Sequence, residues 1–61
     1  MNLYVEPMDV VVTEVDEDGR VRFQDGEWST PSLQERRAII YAANNAIEEL
    51  QEAIDRLQDG A

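Results

Sequence analysis

From residue 33 onward, apolar side chains recur every three or four positions: Ile39, Ile40, Ala43, Ala46, Ile47, Leu50, Ala53, Ile54 and Leu57. That spacing predicts one amphipathic helix running from about Ser32 to Leu57. Ser32-Leu33-Gln34-Glu35 reads as a capping box, with Ser32 as N-cap and Glu35 three residues on. Thr30 followed by Pro31 is a rival start, and Gly60 is a natural stop. Within the stripe, positions 40, 43, 47, 50, 54 and 57 form an a/d heptad seam of Ile, Ala, Ile, Leu, Ile and Leu. A second row, Ile39, Ala46 and Ala53, joins Ala42 in an alanine-rich edge. A helix patterned this way touches two neighbours: a partner helix along the seam and its own strands along the edge.

The first half of the chain alternates at a period nearer two. Met8 to Val15, with Val10, Val11, Val12 and Thr13, reads as one strand, and Arg20 to Gln24 as a second. Asp16-Glu17-Asp18-Gly19 is the turn between them. A three-residue loop, Glu17-Asp18-Gly19 with the glycine left-handed, matches side chains best. It sets Val15 opposite Val21, Thr13 opposite Phe23, Glu14 opposite Arg22 and Asp16 opposite Arg20. In that register one face carries Val11, Thr13, Val15, Val21 and Phe23, and the other Met8, Val10 and Val12. Leu3 to Val5 reads as an edge strand ended by Pro7, Asp25-Gly26 as a further turn, and Glu27-Trp28 as the start of a short third strand. Trp28-Ser29-Thr30-Pro31 joins the two halves. The expected fold is a single small α+β domain: an N-terminal β-hairpin region over residues 1–29, then one long helix over 30–61, as a homo-oligomer.

Size is what brings in the oligomer. A domain of 61 residues buries only about 60% of the surface its unfolded chain exposes and is marginal alone. Small domains compensate with disulfides, a metal or oligomerisation. The chain has no cysteine and no histidine, which removes disulfides and thiolate or imidazole zinc sites. Length points the same way: the helix spans about 39 Å, whereas a hairpin covers about 17–27 Å. The expected self-interface is Arg36, Ile40, Ala43, Ile47, Leu50, Ile54 and Leu57, with Arg36 reaching across it. A second interface is expected from Met8, Val10, Val12 and Trp28, although Trp28 is also a candidate core plug. Tyr41 falls on the polar side, near Asn45, Glu48 and Glu52, as a half-buried ring. Ile at a and Leu at d favours parallel pairing. The charges favour antiparallel pairing: Arg36 and Arg37 sit at the helix start, and Glu48, Glu49, Glu52, Asp55 and Asp59 crowd its end, against the helix dipole.

The net charge of −9, from 14 acidic residues against five arginines and no lysine, argues against nucleic acid or anionic membrane as a partner. Solubility is the plain reading of that acidity. The alternative is an acidic inhibitor of the kind phages or mobile elements encode, whose carboxylates imitate DNA phosphates; Asp16, Glu17, Asp18, Glu48, Glu49, Glu52, Asp55 and Asp59 are its candidates. No apolar run approaches the ~20 residues of a membrane span, and the first residues lack a basic, signal-like start, so a cytoplasmic protein is expected. Glu14, Asp16, Asp18, Gly19, Val21 and Asp25 fall at positions 1, 3, 5, 6, 8 and 12 of a loop that resembles an EF-hand calcium loop. Glutamate stands at position 1, aspartate replaces the bidentate glutamate at position 12, and the flanks read as strands; no metal or other cofactor is expected. Ser29 and Ser32 have no histidine base, and no glycine-rich phosphate loop is present. The expectation is a non-enzymatic protein–protein interaction or assembly protein.

Overall fold

A computed structural model describes residues 1–24 and 26–60 of the chain. Four strands form an antiparallel meander in the order β1 (Leu3–Val5), β2 (Val10–Val15), β3 (Val21–Phe23) and β4 (Trp28–Ser29), followed by a single helix, α1 (Leu33–Asp59). The α+β order follows the expectation, and the hairpin is enlarged on both sides to four strands. The edge strand Leu3–Val5 and a short strand at Trp28 are both present. Strand β2 is shorter than the sequence suggests, because Met8 closes a 3-10 turn over Glu6–Met8, with Pro7 inside it. Asp9 then takes a left-handed conformation at φ 51°, which an aspartate tolerates better than most residues. Its carboxylate accepts a hydrogen bond from the Tyr4 hydroxyl at 2.8 Å, tying the turn back to β1.

The β2–β3 turn is the three-residue loop that side-chain matching favours. Asp16 N–H donates to the Arg20 carbonyl at 2.9 Å, and Gly19 sits at φ 81°. Val15 pairs with Val21 and Glu14 with Arg22. The next pair departs from expectation: Val12, not Thr13, stands opposite Phe23. One extra residue in β2 makes a β-bulge, and beyond it every side chain of β2 changes face. Val10 and Val12 therefore lie on the same side as Val21 and Phe23. Val12 is completely buried, and Met8 and Val10 pack against the core it belongs to. The separate outward face of Met8, Val10 and Val12 does not exist. Of the turn expected at Asp25-Gly26, Asp25 lies outside the described residues; Gly26 N–H donates to the Phe23 carbonyl at 2.9 Å.

The core is small: Val5, Val12 and Val21 from the sheet and Ile39 from the helix, ringed by Leu3, Met8, Val10, Phe23, Ala38 and Ala42. Pro31 is buried at the joint. Trp28 is not a core plug, for it stays 41% exposed on β4 beside Arg20, whose guanidinium lies 6.0 Å from the ring centre.

The helix starts at its capping box. Ser32 Oγ accepts from Glu35 N–H at 3.1 Å, and a Glu35 carboxylate oxygen accepts from Ser32 N–H at 2.7 Å. Thr30-Pro31 is thus not the start. At the far end Gly60 N–H donates to the Arg56 carbonyl in right-handed geometry. The 27 residues of α1 span about 40 Å, close to the 42 Å long axis of the molecule, whose other dimensions are 22 and 20 Å.

Candidate interaction surface

The helix lies on the sheet by a narrow strip. Ala38, Ile39 and Ala42 face the core, and half-buried Ala46 lines a hollow with Tyr4 and Pro7. Small residues let the backbone of α1 come close to the strands, and Ile39 alone supplies a large side chain to the core. This matches the predicted alanine edge as far as Ala46; Ala53 is exposed. Every residue from Ile47 to Gly60 is exposed, because the sheet ends before the helix does.

The heptad seam is left uncovered. Ile40, Ile47, Leu50, Ile54 and Leu57 are 48% to 76% exposed, and only the alanine of the set, Ala43, is half-buried. Such a row is unusual on a small protein, where large apolar patches mark interaction sites. The structure adds two residues that the sequence reading omits. Leu33 is exposed one heptad before Ile40, and extending the same seven-residue count would have found it. Val15, at the end of β2, is also exposed and lines the groove beside the helix; its pairing with Val21 is legible in the sequence, but which face of the sheet the helix covers is not.

Between the β2–β3 turn and the first turns of α1 lies an open groove of about 380 Å³, lined by Val15, Asp18, Gly19, Val21, Pro31, Arg36, Ile39, Ile40 and Ala43. It opens onto the seam through Ile40 and Ala43, and Arg36 and Asp18 are its charged residues. Arg36 thus stands between Leu33 and Ile40 of the apolar strip. A second hollow, about 610 Å³, lies on the other side of the helix between Tyr4, Pro7, Tyr41 and Ala46. Tyr41 is exposed there rather than half-buried.

The perturbed ionisable groups are spent on local structure. The Asp16 carboxylate accepts from the backbone N–H groups of Asp18 and Arg20 and from Arg20 Nε at 2.7 Å. Partial desolvation pulls its pKa up, but the bonds from Arg20 and Asp18 outweigh this and hold it below the ordinary aspartate value. Glu35 is lowered by the bonds it shares with Ser32. Tyr4 is raised by its bond to Asp9, with desolvation and the negative charges of Asp9 and Glu6 adding. Of the calcium-like loop, Asp16 closes the hairpin turn, Glu14 on β2 pairs with Arg22 at 3.5 Å, Val21 belongs to the core, and the position-12 residue Asp25 lies outside the described residues. Among the described residues no cluster of metal-ligating side chains is present, and no helix is long and apolar enough to cross a membrane. Comparison with protein-family models, curated proteins and solved structures finds no match to this chain.

Proposed function

We propose that this chain is a non-enzymatic assembly protein that self-associates through the Ile/Leu face of α1. The observation that carries the reading is the exposed seam of Ile40, Ile47, Leu50, Ile54 and Leu57 on a helix that outruns its own sheet. Full burial of one Leu or Ile contributes about 2 kcal/mol. Covering five such partly exposed side chains on each of two chains contributes on the order of 10 kcal/mol. Association costs about 4–15 kcal/mol in lost freedom. The two are comparable, so the seam supports a reversible complex whose population depends on concentration. The remaining acidity, spread over exposed carboxylates, keeps a chain with such an apolar strip soluble.

Sedimentation across a range of concentrations tests this. The native chain is expected above its 7.0 kDa monomer mass, and Ile47→Asp or Leu50→Asp at the monomer mass. A native chain that stays monomeric at every concentration would falsify self-assembly and leave a different protein as the seam's occupant.

A further inference from the structure

The occupant just proposed is a second copy of this chain. Resting on that reading, we infer that two α1 helices pair antiparallel in one register: Ile40 against the partner's Leu57, Ala43 against the partner's Ile54, and Ile47 against the partner's Leu50. In this arrangement the end of each helix seats in the groove between α1 and the β2–β3 turn of the other chain.

Three observations converge on it. The seam is complementary to its own reverse. Turning the order Ile40, Ala43, Ile47, Leu50, Ile54, Leu57 end for end places every a position against a d position and matches all six, while Leu33 falls beyond the partner's last turn. The single alanine faces an isoleucine, so a large side chain enters where the groove has room.

The second observation is the groove. It flanks only the first half of the seam, at Ile40 and Ala43, and its lining of Val15, Val21, Pro31 and Ile39 is apolar. Antiparallel pairing brings the partner's Ile54 and Leu57 to that spot. Parallel pairing would set like positions together, place both grooves at the same end and leave them unfilled by the seam.

Charge is the third. Residues 33–46 of the helix carry two arginines against one glutamate, and residues 47–60 carry five carboxylates against one arginine. Parallel pairing would lay the two acidic halves side by side. Antiparallel pairing lays each against the arginine-bearing half. Arg36, on the groove wall, then stands beside the carbonyl end of the partner helix, where a cation is favoured. The flanking positions agree: Asn44 meets the partner's Gln51, and Arg37 the partner's Gln58, with no like charges opposed.

The chain has no cysteine, so single cysteines report the arrangement cleanly. Ile40→Cys and Leu57→Cys chains, one carrying a mass tag, are mixed and mildly oxidised. The inferred register predicts a mixed 40–57 disulfide at least tenfold in excess of either self-linked product. Two copies of position 40 would be about 25 Å apart along the helix axis, beyond the ~7 Å Cα limit of a disulfide. Predominant 40–40 and 57–57 products would mean parallel pairing and overturn the inference. A dimer by sedimentation that yields no disulfide in the mixture would overturn the register. A native chain that sediments as a monomer would instead remove the proposed function, so the two failures are told apart. Arg36→Glu is expected to weaken the dimer at least tenfold; an unchanged dissociation constant would overturn the seating of the acidic end at Arg36.

Discussion

The hydroxyl of Thr13 donates to the carbonyl oxygen of Arg22 at 3.1 Å, across the point where β2 carries one residue more than β3. A bulge leaves ladder groups without partners, and a threonine hydroxyl supplies a substitute bond in place. Beyond this point Val12 and Val10 turn inward to meet Ile39 of α1. The Thr13–Arg22 contact therefore helps hold the register on which the core depends.

Thr13→Val keeps the shape and removes the donor. The loss of one partly buried hydrogen bond costs about 1 kcal/mol. Chemical denaturation should show a lower midpoint with an unchanged slope. An unchanged midpoint would mean that valine packing holds the bulge without the hydroxyl.

Two isoleucines on the same helix should behave in opposite ways. Ile39 is the large helical side chain of the core, so Ile39→Ala is expected to cost about 2–5 kcal/mol, enough to unfold much of so small a domain. Ile54 is half exposed and far from the sheet, so Ile54→Ala should weaken self-association while the isolated chain keeps its fold. Circular dichroism at low concentration, read beside sedimentation, separates the two effects.

Acid should loosen the helix start and the hairpin turn. Glu35 and Asp16 both sit below their ordinary values of 4.5 and 3.8. A depressed carboxylate contributes stability that is full above the unfolded value and is lost as pH falls through the folded value. Glu35→Gln should thus narrow its stability gap to the native chain below about pH 4, because there the native Glu35 is also being neutralised. A gap independent of pH across that range would show that the carboxylate charge adds nothing to the cap. Ser32→Ala, which removes the hydroxyl acceptor, is expected to cost about 1 kcal/mol at neutral pH.

Salt distinguishes an apolar assembly from an acidic mimic of nucleic acid. Between about 0.1 M and about 1 M salt the screening length shrinks from roughly 10 Å to roughly 3 Å. Self-association through the seam should persist over that range, since screening relieves repulsion between two chains of charge −9. A carboxylate surface standing in for phosphates would instead lose its partner steeply as salt rises. Dissociation of the self-complex into monomers at high salt would count against the apolar seam as its main support.

What the sequence determined by itself was local. The helix and its Ser32–Glu35 cap, the Asp16–Gly19 turn with Gly19 left-handed, and the division of α1 into a seam and an alanine edge all arise from contacts within a few residues, where spacing and residue type suffice. Tertiary structure decided what depends on distant partners. The bulge at Thr13 is a mismatch between two strands and cannot be read from either one, yet it turns Val10 and Val12 inward and removes the second face that unbroken alternation suggests. Trp28 is left open because β4 lies at the edge of the sheet. The seam of α1 is uncovered for the same kind of reason: its pattern can be read residue by residue, but how far the sheet reaches along the helix is set only when the two pack.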